Sequence, residues 1–234
     1  MPESDTVVPL KKHESWTKGG PVVSHLDDDE ISRLSERASA TIGDPTTLGL
    51  WAFATGTWIF GTVIAGAFPQ STFAAVIPML IAFGGIAQFI AGLYAFRRTN
   101  VLLSTAFCCF GAFNVTAGFF LALQTTNTIA TGGPAVVMFG FLLESFAFIA
   151  LALMIAALRT NMAMVVFLAA LTIGYCLSGI PMLANATGPN GWTIISSIGG
   201  WFLVFSALCA YYTGMALVVN STWNRTVLPI GGEP

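Results

Sequence analysis

The sequence predicts an all-α integral membrane protein that crosses the bilayer six times and keeps both termini in the cytoplasm. Three observations lead to this fold class. Of the 234 residues, 55% are hydrophobic and only 9% are charged, whereas an ordinary soluble domain carries about 25% charged residues. The apolar residues gather in six runs long enough to cross a membrane. The lysines and arginines are confined to alternate connections between these runs.

The six apolar runs are the predicted transmembrane helices. A helix rises about 1.5 Å per residue, so about 20 apolar residues cross a hydrocarbon core of about 30 Å. A backbone in lipid must satisfy its own hydrogen bonds, which favours helices. We place the helices at residues 48–67, 74–96, 102–123, 134–157, 162–183 and 193–219. Short connections with turn-forming residues join them.

Basic residues set the predicted orientation, because lysine and arginine near the ends of spans are retained on the cytoplasmic side. Five of the nine lie before the first helix, and the others are Arg97, Arg98, Arg159 and Arg225. The three connections on the other side hold none. An even number of helices with both termini in the cytoplasm is the arrangement that fits this distribution.

The chain divides into three predicted parts. Residues 1–43 form a polar cytoplasmic tail, residues 44–222 a six-helix transmembrane domain, and residues 223–234 a short cytoplasmic C-terminal tail. The first tail contains eight of the eleven acidic residues and both histidines, His13 and His25. It has no continuous apolar region of the kind that a signal peptide requires. Its residues 27–38 are a candidate short surface helix, because acidic residues precede basic ones there.

Few polar groups lie within the predicted helices. Lysine, arginine, aspartate and histidine do not occur there, and the chief polar residues are Gln88, Asn114 and Glu144. A serine–histidine pair, paired aspartates and the H-E-x-x-H zinc motif are missing, so we predict no enzyme, no cofactor and no metal site. The net charge of −2 without a basic cluster also argues against nucleic acid as a partner.

This small polar inventory suits a path for a small solute that is neutral or carries one charge. A proton pump or ion-driven carrier usually contains several ionisable groups in the membrane, because each one costs free energy. A path for a small solute requires only hydroxyl groups, backbone N–H groups at helix ends and apolar rings that close by dewetting.

Several motifs resemble those of the acetate uptake transporter family. Residues 43–50, GDPTTLGL, resemble its N-P-A-P-L-G-L signature. Residues 83–88 resemble the family's Y-G-G-x-A-Q motif, and residues 91–93 resemble its A-G-L motif. Residues 97–100 resemble its basic loop followed by asparagine, and residues 105–111 resemble its T-A-F-x-x-Y-G motif. Residues 225–231 are similar to the R-T-V-L-P-I-G ending. The resemblance extends over residues 43–231 with the same six-helix layout.

The resemblance implies a six-helix subunit that assembles as a hexamer in the plasma membrane. Each subunit would hold its own path for acetate, related short monocarboxylates or succinate. An apolar ring from the first, third and fifth helices would form the narrowest point, and by position that ring is Phe53, Phe110 and Leu171. Phe110 stands where bacterial family members have tyrosine, so one hydroxyl is missing from the ring. Ordinary packing is the alternative interpretation of each of these side chains.

The substrate-path candidates are Asp44, Pro45, Thr46, Gln88 and Asn114. Asp44 or Thr46 can cap the first helix and Pro45 suits an early helical position, so the following N–H groups can attract a carboxylate at the cytoplasmic mouth. Capping alone explains the same residues. Asp44 replaces the family's asparagine, and its negative charge opposes an anion. Gln88 and Asn114 are candidates for lining the path.

Glu144 is a lone carboxyl group in the middle of a predicted helix, at a position without a counterpart in the family. A charged carboxylate is costly there. It is therefore either a neutral, hydrogen-bonded packing residue or a proton site coupled to solute movement.

From the sequence we thus expect a transporter or channel for acetate and related small carboxylates. Two alternatives stay open. One is a membrane sensor or scaffold that signals acid through its 43-residue tail without moving solute. The other is a pore for a small neutral solute such as water or glycerol.

Overall fold

The computed structural model describes residues 29–34, 43–130, 132–186 and 193–231. The predicted N-terminal tail lies almost entirely outside these residues, and so do the turn residues 187–192 and the end of the chain after residue 231. Residues 29–34 are helical and exposed, within the segment for which a surface helix is predicted. They belong to a unit formed by Met1–Thr41, which is separate from the unit formed by Ile42–Pro234.

The predicted fold class is confirmed by six helices that are long and apolar enough to cross a membrane. We label them α1 to α6, and they cover Thr46–Ile64, Ala74–Arg97, Val101–Thr125, Pro134–Ala157, Met162–Leu183 and Ile194–Trp223. The described residues contain no strand. Short connections make successive helices alternate in direction. Arg97, Arg98, Arg159 and Arg225 therefore lie at one end of the bundle, which we call the basic end; the orientation of that end in the cell stays a prediction.

Two helix ends lie three or four residues from the predicted positions because residues with a left-handed backbone stop the helix. Gly66 has φ +78°, so α1 ends at Ile64 although apolar residues continue to residue 67. Asn224 has φ 50° and ψ 34°, and it ends α6 at Trp223, four residues beyond the predicted end. Hydropathy alone does not mark either point.

The starts of three helices are capped by side chains. The side-chain oxygens of Asn100 and Asn161 accept the N–H groups of the third residues of α3 and α5 at 3.0 and 2.9 Å. Thr193 does the same for α6 at 3.0 Å. Each cap satisfies one of the N–H groups that a helix start leaves without an intrahelical partner.

The second helix is irregular in its middle. An α-helical segment, Phe73–Met79, leads into a π-helical segment, Leu80–Ala87, and then into a second α-helical segment, Gln88–Arg97. Segments of π-helix are rare and occur frequently at functional sites. This one ends directly before Gln88, so it sets the direction in which that side chain leaves the helix.

Small residues let the helices approach closely. A side chain at Gly200 of α6 would collide with the backbone of Ala65 at the end of α1. A side chain at Gly111 of α3 would lie only 2.8 Å from the backbone nitrogen of Phe89 in α2. Lipid provides no hydrophobic drive between helices, so such backbone contacts supply much of the packing.

The segment after α6 returns to the start of α5. The carbonyl oxygens of Gly231 and Ile230 accept the N–H groups of Met162 and Ala163, at 2.6 and 3.1 Å. The side chain of Asn220 holds the same segment through the carbonyl of residue 228 at 2.8 Å. The first turn of α5 is therefore fixed by residues that follow the last transmembrane helix.

Candidate functional site

The structure brings Phe53 of α1 and Phe110 of α3 together inside the bundle. Both side chains are about 2% exposed, and their ring centroids lie 5.6 Å apart with the planes tilted by 49°. Tilted aromatic pairs at this separation are in favourable contact. The two rings therefore close the space between α1 and α3.

Leu171 of α5 is fully buried and lies at the same level. Phe167 and Tyr175 stand four residues before and after it, so the three side chains share one helix face. The Phe167 ring is 5.7 Å from that of Phe53, and the Tyr175 ring is 6.5 Å from that of Phe110. The face of α5 that carries Leu171 thus meets both rings. From the starts of their helices, the three predicted residues lie roughly 10–14 Å deep.

The rings of this layer continue into an aromatic column that sequence reasoning did not identify. Phe113 connects the layer to the end opposite the basic end, with its ring 5.1 Å from Tyr175, 4.8 Å from Phe146 and 6.2 Å from Phe60. The column consists of Phe53, Phe60, Phe110, Phe113, Phe139, Phe146, Phe167 and Tyr175.

One signal in the sequence points to the column. Phe53 and Phe60 are seven residues apart in α1, and Phe139 and Phe146 are seven residues apart in α4. This spacing places two side chains on one helix face. Because these helices contain many phenylalanines, the spacing alone does not distinguish rings that face the interior from rings that face lipid.

A small cavity lies on the basic side of the Phe53–Phe110 pair. Its lining residues come mainly from the first turns of α1, α3 and α5, and they are Leu50, Phe53, Gln88, Leu102, Leu103, Ala106, Phe107, Phe110, Met164, Phe167 and Leu168. The space open to the centre of a water-sized sphere is about 10 Å³, which is about what a single water molecule needs. The cavity therefore has no room for a solute larger than water.

Gln88 is the one polar residue among those that line this cavity. It is fully buried, and its Oε1 accepts a hydrogen bond from Nδ2 of Asn114 at 3.2 Å. Its Nε2 has no hydrogen-bond partner among the described residues. A buried donor without a partner costs about 1–3 kcal/mol.

Asn114 of α3 is bound from two sides. It is 3% exposed, and Nδ2 donates both to Gln88 and to the carbonyl oxygen of Gly84, the latter at 2.8 Å. It therefore touches α2 at two points and does not line the cavity itself.

At the start of α1 the N-cap is Pro45, and Asp44, one of the two capping residues considered from the sequence, binds the first N–H of the helix from one position earlier. Asp44 is exposed, and its Oδ1 accepts the N–H of Thr46 at 2.9 Å. Pro45 has helical angles, φ −78° and ψ −7°, and its carbonyl accepts the first helical bond from Gly49. Thr46 is buried and supplies the N–H rather than the cap. The N–H group of Thr46 is thus already hydrogen-bonded to a carboxylate.

Glu144 lies apart from the cavity, where α4 packs against α5. Its Oε1 is buried in contact with Gly179 of α5 and has no hydrogen-bond partner among the described residues. Cys176 of α5 lies beside the same carboxyl group. One oxygen of the Glu144 carboxyl group is therefore buried without a hydrogen-bond partner among the described residues.

Comparisons with known proteins confirm the resemblance seen in the motifs. The chain is 28% identical to the succinate-acetate/proton symporter SatP of Escherichia coli (strain K12) over 190 residues, which are 81% of this chain and 96% of SatP. It is 26% identical to acetate permease A of Emericella nidulans over 200 residues, 82% of this chain and 66% of that protein.

A solved structure agrees with these relatives. The structure of the bacterial acetate channel SatP superposes with a TM-score of 0.72 at 27% identity, and the match covers 81% of this chain and 99% of that one. The model of the GPR1/FUN34/yaaH family matches residues 30–230, which include all six transmembrane helices. The chain therefore belongs to the GPR1/FUN34/yaaH family.

Proposed function

We propose that the protein carries acetate and related small carboxylates across the membrane through a path inside each subunit. The observation that carries this proposal is the closed layer of Phe53, Phe110 and Leu171, which lies beside a small apolar cavity whose one polar lining residue is Gln88. A short carboxylate combines an apolar chain with two acceptor oxygens, which matches such a cavity. The relatives named as acetate permease and succinate-acetate symporter support the same substrate class.

Passage requires the layer of Phe53, Phe110 and Leu171 to open. Apolar constrictions of this width exclude water and so block a hydrated ion. The solute must leave its hydration shell, and Gln88 replaces one of the lost hydrogen bonds on the basic side of the layer. A single amide does not offset the cost of burying an isolated carboxylate. Movement of the acid together with a proton therefore costs less than movement of the bare anion.

Glu144 is the proposed proton site. It is the one ionisable carboxyl group inside the six helices, and ionisable groups in the membrane are usually kept for a function. Its position against α5 supports the proposal, because α5 also carries Phe167 and Leu171. A change of charge at Glu144 would act on the helix that forms one side of the closed layer.

The test is uptake of radiolabelled acetate by the purified full-length protein in liposomes. We expect uptake above that of empty liposomes, and about a two- to tenfold loss in Gln88→Ala, because a hydrogen bond to the protonated acid contributes about 0.5–1.5 kcal/mol. Gln124→Ala is the matched control, since Gln124 lies at the far end of α3. Wild-type uptake equal to that of empty liposomes would contradict the proposed function.

The proton site is tested in the same liposomes with and without an imposed pH gradient. Glu144→Gln keeps the size of the side chain and removes its exchangeable proton. We expect the wild type to respond to the gradient and the variant to take up acetate at a rate independent of it. A variant that follows the gradient as the wild type does would leave Glu144 a packing residue.

The assembly that we propose is a hexamer in the plasma membrane, with one path per subunit. Large apolar side chains such as Phe148 at 73% exposure and Trp201 at 55% cover the outer faces of α4 and α6. Such faces are suited to lipid and to neighbouring subunits alike. Light scattering of the purified protein in detergent should give six times the mass of one chain.

A further inference from the structure

We propose that Phe146 of α4 sets how readily the constriction opens, because its ring occupies the space into which the Phe110 ring must turn to leave Phe53. The inference rests on the proposed function and adds a residue that controls the opening of the same path. Phe146 acts through Phe110 and is thus a positioning residue.

Three aromatic side chains from three other helices lie against the Phe110 ring. The ring centroid of Phe53 in α1 is 5.6 Å away, that of Phe146 in α4 is 6.3 Å away and that of Tyr175 in α5 is 6.5 Å away. The small cavity beside the layer has space for about 10 Å³ and cannot take up a ring. A Phe110 ring that turns away from Phe53 must therefore displace Phe146 or Tyr175, because a packed interior leaves no other space of that size.

Tyr175 cannot make room for a turning ring. Its side chain is 2% exposed, and α5 is held against α6 by backbone contacts on both sides of it. A Cβ at Gly174 would lie 3.0 Å from the backbone nitrogen of Leu203, and one at Gly199 would lie 2.7 Å from that of Ser178. The ring is therefore enclosed, and the helix that carries it cannot shift without breaking these contacts.

The boundary between α3 and α4 is built differently, because side chains rather than backbones meet there. In the described part of the chain, the glycines of α3 lie closest to α2, and the glycine of α4, Gly140, lies closest to α5. Across the boundary, the Phe146 ring lies 4.8 Å from that of Phe113, and the Phe120 ring stacks on that of Phe139 at 4.7 Å. Rings can turn about their side-chain bonds while both backbones stay in place.

Phe146 is also the neighbour that reaches the surface of the bundle. Its side chain is partly exposed, whereas those of Phe53, Phe110 and Tyr175 are each 2% exposed. The Phe146 ring can therefore turn outward at little cost, since lipid tails are as apolar as the interior. The vacated space adjoins the Phe110 ring, which can then separate from Phe53. The outward turn of Phe146 is thus the step that permits the constriction to open.

The experiment measures acetate flux and thermal unfolding of Phe146→Ala in liposomes. We expect flux to rise about two- to tenfold, because the closed layer loses the favourable ring contacts that Phe146 makes and Phe110 gains space. Phe120→Ala is the matched control, since the Phe120 ring crosses the same boundary and is also partly exposed, but lies about 15 Å farther along α3 than Phe110. The control should lose stability and keep wild-type flux. A folded Phe146→Ala protein with the flux of the control would overturn the proposal.

A double variant separates control of the constriction from general loosening of the bundle. If Phe146 acts through Phe110, its removal has nothing left to release once the Phe110 ring is absent. The double variant Phe110→Ala, Phe146→Ala should therefore show the flux of Phe110→Ala alone. Two single effects that multiply in the double variant would contradict the positioning role.

Phe146→Leu covers the case in which Phe146→Ala does not fold. Leucine keeps most of the apolar volume and removes the ring contacts, so flux should rise by a smaller factor of about two. Wild-type flux in a folded leucine variant overturns the proposal as well. Wild-type liposomes that take up no acetate would contradict the proposed function itself, whereas wild-type uptake that no substitution at Phe146 alters contradicts only the role of Phe146.

Discussion

The Phe53 and Phe110 rings are in contact, so widening the path means removing or rotating one of them. Each ring also belongs to the packed interior and contributes to stability through its contacts with neighbouring rings. A substitution at either position that raises solute flux is therefore expected to lower folding stability. A smaller side chain would lower the barrier in the proposed path and would leave a void in the bundle.

Phe53→Ala is expected to raise acetate flux in liposomes. A barrier lowered by about 1 kcal/mol raises the rate about fivefold, while the lost packing costs about 3–5 kcal/mol of folding stability. Flux and thermal unfolding are measured on the same preparation. Phe148→Ala makes the same substitution at a lipid-exposed position, and we expect it to change neither. A folded Phe53→Ala protein with wild-type flux would remove Phe53 from the constriction.

At the start of α1, Asp44 both binds an N–H group of the helix and carries a negative charge. Substitutions can separate the effects of the hydrogen bond and of the charge. Asp44 satisfies the N–H of Thr46, and its carboxylate also interacts favourably with the positive end of the helix dipole. In the proposed path the same carboxylate would repel an incoming anion. The helix is thus stabilised by a group that weakens the attraction of its own N-terminus for the solute.

Asp44→Asn should lower the KM for acetate about two- to fivefold at low ionic strength. The amide oxygen of asparagine still accepts the N–H of Thr46, so the cap is kept while a repulsion of about 0.5–1 kcal/mol is removed. The gain should disappear at high salt, where exposed charges are screened. Asp44→Ala, which loses the cap as well, should lower stability by about 1 kcal/mol. An unchanged KM in the asparagine variant would place the solute's entry elsewhere.

At the scale of the whole molecule, every residue of the proposed path lies in the unit formed by Ile42–Pro234. Deleting residues 1–41 is therefore expected to leave acetate uptake unchanged in liposomes. In the shortened chain, Gln88→Ala should still lower uptake, which shows that the same path is used. Loss of uptake by a folded shortened protein would instead favour the alternative in which the tail is central to the activity.

The sequence predicts the six helices well because the length of an apolar run is a direct measure of the membrane thickness it crosses. It does not predict the π-helical segment of α2, since nearly every residue from Leu80 to Ala87 is apolar and such a run shows no helical period. Gly66 and Asn224 end their helices by backbone geometry, which hydropathy does not record.

The sequence predicts only part of the candidate site. Phe53 and Phe110 are chosen through the resemblance to a family, and the structure places their rings in contact. Phe167 and Tyr175 are missed, because inward and outward residues of a membrane helix are equally apolar and the usual contrast between core and surface is lost. Gln88 and Asn114 are identified as rare polar residues, but their mutual orientation depends on the carbonyl of Gly84 and emerges only in three dimensions.

The carbonyl groups of Ile230 and Gly231 hold the first turn of α5, so this turn can be completed only after those two residues have been synthesised. During translation these two residues emerge only after all six hydrophobic segments have left the ribosome. The amides of Met162 and Ala163 cannot form these two hydrogen bonds until then. Met164 and Phe167 lie on that first part of α5, so the wall that they form around the small cavity reaches its final shape among the last events of maturation.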